Sequence, residues 1–154
     1  MIDDSHLVHG TCVALRDAHD TWSGVLMRGV PGAGKSDLAL RLIDQGARLV
    51  ADDQVVLHKA GDALIARAPE TIRGKIEARG IGILEVPHLD EAFVRLVCDL
   101  VAPDQVVRLP DPARVLIAGT DLPLFALAPF EASTPAKLRL GVRAASDGII
   151  GASN

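Results

Sequence analysis

The chain contains no tyrosine, and aromatic residues make up only 3% of it, so a base-stacking platform for nucleic acid is not expected. A surplus of positive charge is missing as well. The formal net charge is -4, whereas nucleic-acid binders carry a basic stripe for phosphate contacts. No apolar run is long enough to cross a bilayer as a helix, so no membrane partner is expected. The opening residues, Met1-Ile2-Asp3-Asp4-Ser5-His6, are acidic and lack the basic flank and apolar stretch of a secretory signal; a cytoplasmic address is expected. Cysteine is scarce. Cys12 and Cys98 stand far apart in apolar stretches, outside any C-x-x-C unit, and read as buried free thiols rather than a disulfide framework. His6, His19, His58 and His88 have no metal-ligand spacing, so no zinc site is expected.

What is present is enough for a real core. The chain has 154 residues, 49% hydrophobic and 23% charged, with even composition and no repeat or linker, the balance of a globular protein. Residues 1–154 therefore read as a single domain. Strand patterns run from Leu7 to Leu15 and from Ser23 to Arg28, joined by the polar loop Arg16–Trp22. A helix is predicted from Lys35 to about Gln45, with Leu38, Ala39, Leu42 and Ile43 as its apolar stripe and Gly46 as its C-terminal stop. Arg48–Ala51 reads as a strand ending in Asp52-Asp53, and Val55–His58 with Ala63–Ala66 as a hairpin. Pro69–Lys75 reads as short helical or irregular chain. Ile81–Val86, Phe93–Leu100, Arg114–Ala118 and Leu122–Leu127 are further strands. A last helix is predicted to start at a Ser133 or Thr134 cap, with Pro135 in its first turn, and to end near Ala145. Many neighbouring strands look hairpin-linked, so the fold class expected is α/β with a mixed sheet.

The segment Gly29-Val30-Pro31-Gly32-Ala33-Gly34-Lys35-Ser36 fits G-x-x-x-x-G-K-[ST] in full, after an apolar run and before an amphipathic helix. Glycines let successive backbone N–H groups converge on one anion at a helix N-terminus. Lys35 adds a cation for the outer phosphates, and the Ser36 hydroxyl is placed to ligate Mg²⁺. Phosphoryl transfer also needs a carboxylate to steady the metal and a group to orient the nucleophile. Asp52 and Asp53, 16 and 17 residues after Ser36, can divide those tasks because alternate side chains point to opposite faces. Glu77 precedes Gly80 and Gly82, which suggests close backbone approach near a strand start. Taken alone, His9 reads as an ordinary surface or core residue and Arg108 as a solvated side chain.

Five blocks in order resemble the bacterial HPr kinase/phosphorylase family: His9-Gly10, the loop through Lys35-Ser36, Arg48-Leu49-Val50-Ala51-Asp52-Asp53, Ala68-Pro69-Glu70, and Glu77-Ala78-Arg79-Gly80-Ile81-Gly82-Ile83. The likeness spans roughly residues 7–86. It implies a phosphate-loop (P-loop) kinase domain similar to phosphoenolpyruvate carboxykinase, usually assembled as a hexamer. The implied activity is an ATP-dependent kinase acting on a serine of HPr, the small phosphocarrier of the phosphotransferase system. Carried over residue by residue, Lys35 binds phosphates and Ser36 with Glu77 holds Mg²⁺. An aspartate of the pair takes the serine proton, with Asp53 favoured and Asp52 its helper. His9 matches the family's active histidine, and Arg108, in Val107-Arg108-Leu109, is matched to its catalytic arginine.

Two departures bear on that inheritance. The family's amino-terminal domain has no counterpart, so the chain looks like a short form consisting of the catalytic domain alone. The basic Val-Arg-Pro-Gly-Arg-Asn segment tied to dephosphorylation is replaced by Pro123-Leu124-Phe125-Ala126-Leu127-Ala128-Pro129-Phe130. Kinase activity is thus carried over more firmly than phosphorylase activity. A small-molecule phosphotransferase and a non-catalytic nucleotide sensor are the rival expectations.

Overall fold

The structure is a computed structural model and describes residues 5–147. In chain order the elements are β1 (His6–His9), β2 (Thr11–Arg16), β3 (Trp22–Arg28), α1 (Lys35–Asp44), β4 (Arg48–Ala51), β5 (Gln54–Ala60), β6 (Ala63–Arg67), β7 (Lys75–Ala78), β8 (Gly82–Glu85), β9 (Glu91–Leu100), β10 (Ala113–Ile117), β11 (Thr120–Leu127) and α2 (Thr134–Ser146). Short 3-10 turns cover Glu70–Ile72 and Pro103–Gln105. Among the described residues no helix is long and apolar enough to cross a membrane.

The sheet is mixed, as expected. Its order is β1-β5-β6-β9-β3-β2-β4, with the β10–β11 hairpin attached through β11 to β9. β9 runs parallel to β3 and to β11 and antiparallel to β6. One edge of β9 is shared: Glu91–Phe93 pairs with β6, and Val97–Leu100 with β11. The sheet curls, so that its central strands are covered on both faces. Val13, Val25, Met27, Leu96 and Cys98 pack under the two helices with Leu38, Leu42, Leu138 and Val142. Their neighbours Cys12, Ala14, Leu26 and Val97 face the opposite way, against Leu57, Leu64 and Ala66. Strict alternation of side chains therefore produces two cores from one set of strands. This is why Thr11–Leu15 and Ser23–Met27 read as unbroken buried runs rather than half-polar ones.

α1 follows its predicted stripe. Leu38 and Leu42 are essentially without solvent contact, and each contributes about 1.5–3 kcal/mol by burial. The helix stops where Gly46 adopts a left-handed φ of 105°, with the Ala47 amide donating back to the Leu42 carbonyl. α2 has Pro135 in its first turn, but Ser133 makes no side-chain cap; the Thr134 hydroxyl instead donates to the Ala128 carbonyl.

Two expectations need correction. The apolar run Leu7–Leu15 is not one strand, because it breaks at Gly10, where a side chain would press on the Met27 carbonyl at 3.0 Å. Lys75–Ala78 is a strand, not the tail of an irregular segment. It pairs with β8 as a separate two-stranded unit, laid against the helical core by Ile76. Ser133 is the N-cap residue of α2, as expected, although its side chain makes no capping hydrogen bond.

Both cysteines are free and buried. Burial pushes each thiol up to about 12, which leaves them protonated and inert.

The loop between β2 and β3 is organised by Asp17. Its carboxylate accepts the Thr21 hydroxyl at 2.6 Å, the Ser23 hydroxyl at 2.8 Å, and the amides of His19 and Thr21 at 2.9 and 3.1 Å. Desolvation raises its pKa, but the hydrogen bonds from Thr21, Ser23 and His19 outweigh that and hold the carboxyl well below the ordinary range. A depressed folded-state pKa gives stability that is fully present above the unfolded value of about 3.9 and is lost as pH falls toward the folded one. Asp17→Ala is expected to cost about 1–2 kcal/mol at neutral pH. In paired urea melts the gap should narrow below about pH 4; a gap unchanged at pH 3 would contradict the assignment.

Candidate active site

The loop from Gly29 to Gly34 joins the end of β3 to the start of α1, and its backbone explains its glycines. Gly32 and Gly34 have φ of 82° and 101°, a region that side chains with a Cβ rarely enter. At Gly29 an added Cβ would lie 2.9 Å from the Ala33 Cβ, so the two ends of the loop approach too closely for anything larger. The first-turn N–H groups of α1 have no intrahelical acceptors, and Gly34 at the N-cap has no side chain to supply one. Those donors and the positive end of the helix dipole make the loop a place for an anion. Lys35 folds over it: the residue is 7% exposed, and its ammonium donates to the Gly29 and Val30 carbonyls at 2.8 and 3.1 Å.

The acidic corner is built by two matched interruptions. β1 pairs with β5 and β2 pairs with β4, both antiparallel. The chain therefore bends at Gly10 on one side and at Asp52-Asp53 on the other, and the Gly10 amide donates to the Asp53 carbonyl at 3.1 Å across the bend. Asp53 takes a left-handed φ of 70°, a strained choice for a residue with a side chain, of the kind that clusters at functional sites. The turn sends the two carboxylates apart. Asp52 is buried, and its Oδ1 accepts the Ser36 hydroxyl at 2.7 Å and the Thr11 hydroxyl at 3.0 Å. Asp53 points into solvent, with its Oδ1 3.4 Å from His9 Nδ1.

Glu77 is placed by alternation. In β7 the side chains of Ile76 and Ala78 are buried while Lys75 and Glu77 face out. Fixing Ile76 in the helical core turns Glu77 toward the loop. The result is a cleft of about 420 Å³ lined by His9, Thr11, Lys35, Ser36, Asp53 and Glu77, with Pro31, Gly32 and Gly34 of the loop. Most of the residues singled out from sequence thus meet in one place: the loop, both aspartates, His9 and Glu77. Arg108 does not. It is exposed on the segment after the 3-10 turn Pro103–Gln105 and is absent from the cleft lining.

Among the contributors that were not foreseen, two stand out. Thr11 is fully buried and steadies Asp52; the sequence signal was a hydroxyl heading an otherwise apolar strand. Phe130 lines the cleft from the connection between β11 and α2, and nothing in its local sequence marks it.

Fold and site together define a mixed α/β domain whose glycine-rich loop faces an acidic corner. The family model for the HPr serine kinase C-terminal domain matches residues 2–103, and the chain belongs to that family. HPr kinase/phosphorylase of Caldicellulosiruptor bescii is 49% identical over 82 residues, 53% of this chain and 25% of the relative. That of Caldanaerobacter subterraneus is 57% identical over 67 residues, 43% of this chain and 22% of the relative. The chain thus spans about a quarter of the length of these curated relatives. The solved structure of the Hpr(Ser) kinase/phosphatase from Coxiella burnetii superposes with a TM-score of 0.74 at 28% identity, covering 88% of this chain and 92% of that one.

Proposed function

We propose that this chain is an ATP-dependent protein serine kinase that phosphorylates a serine of an HPr-like phosphocarrier. The observation that carries the reading is the Ser36–Asp52 hydrogen bond beside a cleft into which Asp53, next to His9, presents an exposed carboxylate. Family membership and the names of the relatives supply the phosphate acceptor. A P-loop kinase domain similar to phosphoenolpyruvate carboxykinase, assembled as a homo-oligomer and specifically a hexamer, belongs to the same reading.

In this reading the amides from Gly29 to Ser36 bind the polyphosphate, and Lys35 exchanges its two loop carbonyls for phosphate oxygens. Ser36 and Glu77 are the Mg²⁺ ligands. Their donors are oxygens, which suits a hard cation. When bound, Mg²⁺ supplies charge neutralisation at the transferring phosphoryl group. Asp52 fixes the Ser36 hydroxyl so that its lone pairs face the cleft. Asp53 accepts the proton of the substrate serine as the serine oxygen forms its bond to the γ-phosphorus and the bond to ADP breaks. His9 orients Asp53. Arg108 enters only through the family resemblance, as a cation for the developing charge.

The test is incubation with HPr, Mg²⁺ and γ-labelled ATP, followed by mapping of the label. A single labelled serine on HPr is the expected result. Label on a metabolite and never on HPr would sink the reading in favour of a small-molecule kinase. ATP binding without transfer would reduce the chain to a nucleotide sensor. Adding inorganic phosphate and phospho-HPr to the same preparation tests the reverse, phosphorylase direction.

A further inference from the structure

Four side chains in the described residues carry large aromatic rings (Trp22, Phe93, Phe125 and Phe130), and Phe130 is the one that lines the cleft of the glycine loop. Its ring lies directly on the loop: a Cβ added at Gly34 would come within 2.7 Å of the Phe130 Cζ. Yet the residue is 68% exposed.

The ring is not on a loose tether. Arg41 of α1 donates to the Pro129 carbonyl and, at 3.4 Å, to the Glu131 carbonyl, the residues on either side of it. Arg41 is itself held by Asp37 at 3.0 Å. One residue further back, the Ala128 carbonyl accepts the Thr134 hydroxyl of α2. The backbone flanking Phe130 is thus fastened to both helices while its largely exposed side chain lines the cleft. Leu40 of α1 adds apolar lining to the same cleft. Holding an aromatic face in place before a ligand arrives reduces the ordering cost of binding it.

A nucleoside triphosphate anchored by its phosphates at the loop must send its base out along one wall of the cleft. His9, Asp53 and Glu77 give the cleft lining polar and acidic groups, and they are the residues to which phosphate transfer is assigned in the reading above. Phe130 and Leu40 are the large apolar side chains of the same lining, which also holds Asp37 and Arg79, and Phe130 alone among them has the ring on which a base can stack. Resting on the nucleotide-binding reading above, we propose that Phe130 is the platform for the base of the bound nucleotide. It lies outside residues 2–103, the part matched by the family model, so the assignment comes from this chain's own geometry. Stacking of this kind tolerates different bases because every base has a π face, so discrimination between ATP and GTP is expected to be weak.

The test is calorimetric binding of ATP and of inorganic tripolyphosphate, each with Mg²⁺, to the parent, Phe130→Ala, Phe130→Leu and Phe130→Trp. Tripolyphosphate has the anchor and no base. Phe130→Ala is expected to weaken ATP binding about tenfold and to leave tripolyphosphate binding unchanged. Phe130→Leu retains an apolar contact with Gly34 and is expected to show the same selective loss, which separates stacking from local packing. Phe130→Trp is expected to retain ATP affinity. Equal losses for both ligands, or ATP affinity unaltered in Phe130→Ala and Phe130→Leu, would overturn the assignment while leaving the kinase reading standing. A folded parent that binds neither ligand would overturn both.

Discussion

Lys35→Ala is expected to reduce phosphoryl transfer to the carrier by about a hundredfold or more, with the fold retained. Lys35 is nearly buried, and its ammonium donates to two carbonyls of the loop proposed to receive the phosphates. A cation held there by neutral acceptors is poised to exchange them for charged ones, and charge-assisted hydrogen bonds to phosphate are the stronger kind. Truncation leaves the Gly29 and Val30 carbonyls free to take water at the mouth of the cleft, so the thermal midpoint should change little. The measurements are single-turnover transfer from labelled ATP and a melt of the same preparation. Transfer at near-parent rates in a folded Lys35→Ala protein would remove the loop from the mechanism.

Asp53→Asn is expected to lower turnover by about a hundredfold while ATP affinity stays as it was. Asparagine is the informative replacement because of the backbone. Position 53 has a φ of 70°, and asparagine, like aspartate, tolerates that region better than other residues with a Cβ. The variant therefore removes the proposed proton acceptor without disturbing the bend, whereas alanine would mix the two effects. Asp52→Asn probes a different step. Asp52 accepts the Ser36 and Thr11 hydroxyls, so its loss is expected to appear first as a weaker Mg²⁺ dependence of ATP binding. Equal effects of the two variants on Mg²⁺-dependent binding and on turnover would contradict the division of labour between the two carboxylates.

The loop and its helix were legible because both are local. The glycine pattern fixes the turn, the Leu38–Ile43 stripe fixes the helix face, and Gly46 fixes its end. The acidic corner was legible as composition, and the family blocks gave roles to His9, Asp53 and Glu77 before any contact was known. The bend at Gly10 was not, because Leu7–Leu15 is a continuous apolar run and its interruption is imposed from outside, by the Met27 carbonyl and by pairing with two different strands. β7 escaped for a related reason. Four residues with two charged members carry little periodicity, and the strand is fixed by Ile76 entering the helical core. Thr11 and Phe130 depend on partners 41 and 96 positions away along the chain, Asp52 and Gly34, a separation over which no local pattern reports.

The paired interruptions at Gly10 and Asp53 have a consequence for how this sequence can vary in length. Across the corner, His9 is opposite Gln54 and Cys12 is opposite Ala51, so the two bends mesh like teeth of equal pitch. Adding one residue between His9 and Thr11 would carry the imidazole past its aspartate. It would also rotate every later side chain of β2 to the other core, because strand faces swap with each single step. Only a simultaneous insertion at the facing corner would restore the mesh, and that insertion would in turn pull Asp52 off Ser36. Indels should therefore gather in the hairpin tips at Asp62 and Gly119, while the spacing from His9 to Thr11 and from Ala51 to Gln54 stays locked.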